Sequence, residues 1–198
     1  MMRTVAKFGL TGAGKSSLSN ALFGLNWKVD YAVACTQEVS AFEGNFLPPF
    51  NQGINISWRI LDTPGFDESQ EADEIHIKKN VVVFHSTDVI VWVVQADTRA
   101  FAPDQKAILK LTEDGHKLPK ALCIIALNQV DRVHPQNWDL TNNCPSIEQA
   151  EIIAQKIDLV HERFHRYLPV ERKNIIPCSA FTGYGLENLV QAINFSNK

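Results

Sequence analysis

The 198 residues, 45% hydrophobic and 21% charged, carry enough apolar surface for one ordinary domain core and too little chain for two comfortable ones. A formal net charge of −3 supplies no overall basic field, which argues against binding DNA or RNA by bulk electrostatics. Cys35, Cys123, Cys144 and Cys178 are scattered without a C-x-x-C pair; no zinc or redox motif stands out, and reduced thiols in a cytoplasmic protein are expected. The longest apolar runs, VIVWVV and ALCIIAL, fall short of the roughly 18 residues that span a bilayer. The opening MMRTVAKFG lacks the apolar centre of a signal peptide.

In chain order, TVAKF (4–8) predicts a strand and GKSSLSNALF (14–23) a helix closed by Gly24. QEVSAFEGNF (37–46) and INISWRILD (54–62) predict two strands joined by the turn-rich LPPFNQG, which makes them antiparallel neighbours. A polar loop, ESQEADE (68–74), leads to a helix through IHIKKNVVVF (75–84), the strand VIVWVVQ (89–95) and a helix over 103–113 with Pro103 in its first turn. The rhythm then repeats: strand ALCIIAL (121–127), a long helix over 146–168 with the Ser146/Gln149 spacing of a capping box, strand NIIPCS (174–179) and helix GLENLVQAI (185–193). Strands alternating with helices predict a three-layer α/β fold, a mostly parallel sheet with one antiparallel edge strand and helices on both faces. Its ligands bind beyond the carboxyl ends of the strands.

At one such strand end, GLTGAGKS (Gly9 to Ser16) fits the phosphate-loop pattern G-x-x-x-x-G-K-[ST], lying between a strand and a helix as the pattern requires. Gly12 and Gly14 permit backbone angles and close approach that a side chain would block, so the N–H groups from Thr11 through Ala13 to Ser17 can converge on phosphate oxygens. Lys15 is positioned to neutralise β and γ phosphates, and the Ser16 hydroxyl to hold Mg²⁺. In LDTPG, Asp62 can hold Mg²⁺ through water and Gly65 can turn its N–H to a γ-phosphate, although an ordinary turn is the competing reading. LNQVD ends a strand and projects Asn128, Gln129 and Asp131 from the ligand edge. The two oxygens of Asp131 can accept from the ring N–H and exocyclic amine of guanine, a donor pair that adenine lacks. In PCSAFTG, the backbone of Ser179 and Ala180 can meet the guanine carbonyl.

These motifs in this order resemble the GTP-binding domain of the translation-factor-related P-loop GTPases, over nearly the whole chain. GLTGAGKSSLSNALFG is similar to the Era, septin and immunity-related GTPase branch. With VACTQEV, VWVVQADTRA and LNQVD, the chain most resembles the small bacterial YfjP/YeeP-type GTPases, grouped with large-ribosomal-subunit-binding GTPases. The resemblance implies a G domain over residues 1–198 that binds GTP and GDP with Mg²⁺ and works as a switch. It implies a metal set of Ser16, Thr36 and Asp62, with Thr36 as the first switch threonine against the plainer reading of a loop threonine capping the next strand, and a hydrolytic set of Lys15, Thr36 and Gly65. It also implies a nucleotide-dependent homodimer, or a ribosomal or other protein partner. A GTP-dependent interaction module with negligible turnover, and a truncated remnant of a larger GTPase, are the alternatives.

Several residues depart from that pattern. Gln129 stands where relatives carry a lysine whose alkyl stem covers the guanine, and Gly12 where potassium-activated relatives place asparagine. Phe66 occupies the position of a water-orienting glutamine, which implies slow intrinsic hydrolysis and help from a partner; Arg99 is the candidate for a group acting across an interface, against the plainer reading of a surface arginine or one paired with Asp97. Lys7 falls inside the first strand, where a charge is costly unless its stem reaches an edge. Because the chain starts almost at that strand, an upstream segment and a C-terminal extension stay open. His161 and His165, at the spacing of two metal ligands, and the basic run HERFHRYLPVERK, whose arginines and aromatics suit RNA, are read as solvated faces, and Trp138 as a loop anchor with a partner site as the alternative.

Overall fold

The structure is a computed structural model that describes residues 2–27, 39–47, 57–66, 70–113, 115 and 117–194, with 70–76 described by their backbone alone. The strands are β1 (Arg3–Phe8), β2 (Ser40–Gly44), β3 (Trp58–Asp62), β4 (Val89–Gln95), β5 (Leu122–Asn128) and β6 (Ile175–Pro177). The helices are α1 (Lys15–Phe23), α2 (Gln70–Ser86), α3 (Ala102–Leu111), α4 (Ile147–Phe164) and α5 (Leu186–Asn194). The sheet runs β2-β3-β1-β4-β5-β6, parallel throughout except for β2 against β3. Fold class and the antiparallel pair are thus as the sequence predicts.

Alternation along β4 and β5 builds both faces. Val89, Val91 and Val93 with Ile124 and Ala126 pack under α1 and α5, beside Leu18, Leu22, Leu189 and Ile193. Ile90, Trp92 and Val94 with Cys123, Ile125 and Leu127 point the other way, against Phe84 of α2, Ile108 of α3 and Val160 of α4. Pro177, which has no N–H to give, lies in the edge strand β6, where none is needed on the outer side.

Several details differ from the sequence reading. Helix α2 begins at Gln70, inside the segment read as a polar loop, because Gln70, Glu71, Ala72 and Glu74 are good helix formers and acidic residues suit a helix N-terminus. Helix α3 stops at Leu111: the Thr112 hydroxyl bonds back to the Ile108 carbonyl and Glu113 takes a left-handed φ of 49°. The capping box at α4 is half formed. Ser146 Oγ accepts from the N–H of Gln149 at 3.1 Å, but the Gln149 side chain is buried and engaged elsewhere.

Lys7 does not reach an edge. It is 3% exposed, its Nζ has no hydrogen-bond partner, and it lies 5.3 Å from the ring of Trp27 and 6.0 Å from that of Phe23. Burial pulls its pKa down from the ordinary 10.5 to about 8, with the Asp62 carboxylate opposing and Lys15 adding to the fall. Between those values the unfolded chain holds a proton that the folded chain has released, so stability rises with pH from about 8 to 10.5. Lys7→Met should stabilise the protein at pH 7 by on the order of 2 kcal/mol and flatten that rise. Urea unfolding at pH 7, 9 and 10.5 checks both; an unchanged or lower stability at pH 7 counts against an unpaired buried ammonium.

Candidate nucleotide-binding site

The loop after β1 takes its shape from approaches that leave no room for a side chain. Gly9 lies against the Val93 carbonyl on β4, and Gly14, at φ 93°, against the side-chain amide of Asn128 at the end of β5. Gly14 also caps α1 without a side chain, leaving the first amides of that helix directed at the loop. The Ala13 N–H closes the turn on the Leu10 carbonyl at 3.3 Å.

Lys15 is 6% exposed and donates from Nζ to the carbonyls of Gly9 at 3.1 Å and Leu10 at 3.0 Å. Burial pulls its pKa down to about 8, with the carboxylates of Asp62 and Asp104 opposing. Ser16 Oγ donates to Asp62 Oδ2 at 2.6 Å, while the other oxygen, Oδ1, is buried without a hydrogen-bond partner. A buried carboxylate oxygen beside a hydroxyl is a hard donor set that fits Mg²⁺. Thr36 lies outside the described residues.

The segment after β3 is held to the same loop. Thr63 Oγ1 donates to the Lys7 carbonyl at 2.7 Å, Phe66 N–H to the Gly9 carbonyl at 3.3 Å, and Thr11 N–H to the Phe66 carbonyl at 3.2 Å. A Cβ on Gly65 would stand 2.6 Å from Thr11 Oγ1, so glycine is required for this approach. The Phe66 ring belongs to the core: it is 7% exposed and stacks on Trp92 with centroids 5.9 Å apart. Trp92 Nε1 in turn donates to Asp104 Oδ1 at 2.8 Å, and burial pushes the Asp104 carboxyl up to about 6.

At the other end, Asn128 is 1% exposed, donates from Nδ2 to the Ala13 carbonyl at 3.0 Å and accepts at Oδ1 from the Ala180 N–H at 3.1 Å. Gln129 leaves the strand with a left-handed φ of 64°, and a short 3-10 turn, Val130–Arg132, carries Asp131, whose Oδ1 is buried without a partner. Ser179 gives its N–H to the Tyr184 carbonyl at 2.9 Å, so its backbone closes the loop and the Ala180 N–H is the one that faces Asn128.

Some positioning contacts escape sequence reasoning, although Gln129 and Trp138 themselves do not. Gln149 Nε2 donates to the Val133 carbonyl at 2.8 Å and pins the turn that carries Asp131. The amides of Gln95 and Gln129 both donate to the Gly12 carbonyl at 3.3 Å. Trp138 packs edge-on to Tyr184 at 5.1 Å, and Asn143 donates to the Thr182 carbonyl at 2.9 Å, joining the segment after Asp131 to the loop of Ser179 and Ala180. Arg99 is exposed, and the ion pairs among the described residues, Lys117–Glu113, Arg172–Asp158 and Lys173–Glu171, do not include it. Two of those pairs neutralise part of the basic run. His161 and His165 stack on each other, and no cluster among the described residues could hold a metal through three His, Cys, Asp or Glu side chains.

Because Asn128 joins two loops through two buried hydrogen bonds, Asn128→Ala should cost about 2 to 3 kcal/mol of stability without any nucleotide present. Chemical denaturation checks this, and an unchanged midpoint would contradict the bridging role.

Residues 4–129 match the family described as 50S ribosome-binding GTPase. The chain is 34% identical over 163 residues to the Escherichia coli (strain K12) protein YfjP, a match covering 82% of this chain and 52% of YfjP. It is 25% identical over 191 residues to GTPase Era of Lactobacillus helveticus (strain DPC 4571), covering 96% of this chain and 52% of Era. The chain spans about half the length of these curated relatives. Its fold is similar to that of an Aquifex aeolicus Era variant solved with GDP.AlF4-, with TM-score 0.71 and 22% identity over 97% of this chain and 56% of that one. The probable GTP-binding protein engB gives TM-score 0.58 and 23% identity, with 96% of each chain covered. No helix among the described residues is long and apolar enough to cross a membrane. By its phosphate loop, its sheet order and the match across residues 4–129, the chain belongs to the 50S ribosome-binding GTPase family of P-loop G domains.

Proposed function

We propose that this chain is a single G domain, in a cytoplasmic setting, that binds GTP and GDP with Mg²⁺ and hydrolyses GTP slowly to GDP and phosphate as a molecular switch. One observation carries the reading: two buried carboxylate oxygens, Asp62 Oδ1 and Asp131 Oδ1, lack hydrogen-bond partners at the two ends of a site whose middle is tied by Asn128. A desolvated, unsatisfied carboxylate is costly unless a ligand completes it. Asp131 would accept both donors of the guanine edge; the loop amides, with Lys15, would hold the phosphates. Ser16 and Asp62, with Thr36 outside the described residues, would hold Mg²⁺, which when bound neutralises charge on the β and γ phosphates.

Slow turnover is supported by Phe66. A phenyl ring stacked in the core on Trp92 orients no water, so Lys15 and the Gly65 N–H stabilise charge with no group to aim the nucleophile. The missing group would come from outside, and Arg99, exposed and in no ion pair among the described residues, favours a second copy meeting the first across the nucleotide. The family's description names the ribosome, which supports a ribosomal particle as the other source.

Asp131→Asn should weaken GDP by roughly 10- to 100-fold and gain xanthosine diphosphate, whose carbonyl replaces the guanine amine. Competition titrations read both, and equal loss of the two nucleotides would count against a base-reading carboxylate. In single-turnover assays, hydrolysis per molecule should rise with protein concentration and Arg99→Ala should abolish that rise, since an arginine in trans is worth about 10³ or more. A rate flat with concentration that climbs only on adding ribosomes would move the missing group to the ribosome.

A further inference from the structure

Phe181 directly follows Ala180 and, at 89% exposure, is the most exposed large apolar side chain among the described residues. Its loop is not loose. Ser179 N–H bonds the Tyr184 carbonyl, Gly183 N–H bonds the Ser179 carbonyl at 2.9 Å, and Thr182 N–H bonds Ser179 Oγ at 3.1 Å. Asn143 and Trp138 brace it from outside. A phenyl ring is therefore held in water by a well-bonded loop, next to the residue whose N–H faces Asn128, in a segment whose Cys178 carbonyl accepts at 3.2 Å from the N–H of Val130, the neighbour of Asp131. Among the described residues, the ring belongs to neither hydrophobic cluster, and no packing there accounts for that placement.

Gln129 supplies the other half of the argument. Its amide donates to the Gly12 carbonyl at 3.3 Å, and its Oε1 accepts from Arg132 Nη1 at 3.0 Å, so both ends of the group are drawn away to the phosphate loop and the 3-10 turn. The stem that covers the base in relatives with lysine is shorter here and tethered. A flat heteroaromatic ring seated on Asp131 has its edge read but its face short of cover.

We propose that Phe181 stacks on one face of the guanine ring when nucleotide is bound, supplying the contact that Gln129 gives up. The inference rests on the nucleotide reading above and names a residue that fixes affinity for the base. Stacking is tolerant of base identity, because every base has a π face, so Phe181 contributes affinity while Asp131 keeps the choice of guanine.

The test titrates GDP and inorganic tripolyphosphate, each with Mg²⁺, against the wild-type chain, Phe181→Ala and Phe181→Trp. An exposed side chain leaves folding untouched, which thermal melts of all three verify. Phe181→Ala should bind GDP about tenfold more weakly and tripolyphosphate as well as wild type does, since only GDP carries a base. Phe181→Trp should hold GDP within about twofold, with more indole quenching on GDP addition than the native tryptophans show. Unchanged GDP affinity in Phe181→Ala, an equal loss for tripolyphosphate, or no added quenching in Phe181→Trp overturns the stacking role. A wild-type chain that fails to bind GDP overturns the nucleotide reading itself, and the inference with it.

Discussion

One buried amide organises the site. Asn128, at the carboxyl end of β5, reaches sideways to the Ala13 carbonyl in the phosphate loop and back to the Ala180 N–H in the loop after β6. It can do so only because residue 14 is glycine, whose missing Cβ leaves the amide its space. Three segments far apart in sequence are thereby fixed relative to one another with no ligand contributing. Around that point the remaining approaches follow the same logic: Gly9 against β4 and Gly65 against Thr11 each depend on the absence of a side chain. Preorganisation of this kind removes ordering cost from the binding step.

Charge is distributed unevenly over this frame. β1 and the loop after it hold two buried lysines, Lys7 and Lys15, with the buried carboxylate of Asp62 on β3 and that of Asp104 behind Trp92. Lys15 is satisfied by two carbonyls, whereas Lys7 has only aromatic faces near it. Burial depresses both lysines to about 8, and a phosphate arriving at the loop would stabilise the charged form of Lys15, whose Nζ lies on the loop carbonyls. Lys7 has no evident structural benefit, and its position in β1 pairs it in register with Asp62 across the sheet.

The parts legible in the sequence were those written in short spacing. The phosphate loop, LDTPG and LNQVD each sit within a few residues, and the alternation of β4 and β5 carries both faces of the core in one run. What stayed hidden depends on partners distant in the chain. Gln149 reads as a cap residue at its own helix, yet it bonds the Val133 carbonyl because α4 packs under the Asp131 turn. Gln95 looks like the last residue of a strand, and its amide crosses to Gly12. For Lys7 the sequence poses the cost of a strand-borne charge without its outcome: β1 lies between β3 and β4 with helices on both faces, and four methylenes do not reach water from there. The start of α2 was obscured by its polarity, since acidic residues favour loops and helix N-termini alike.

The central claim is that the two unsatisfied carboxylates bracket a guanine nucleotide. Isothermal titration of the nucleotide-free chain with GDP and with ADP, each in Mg²⁺, tests it most directly. The account predicts a saturable one-to-one GDP isotherm and ADP binding weaker by at least about two orders of magnitude, the difference of two hydrogen bonds to a charged acceptor. Equal affinity for the two nucleotides, or no heat with either, would contradict it.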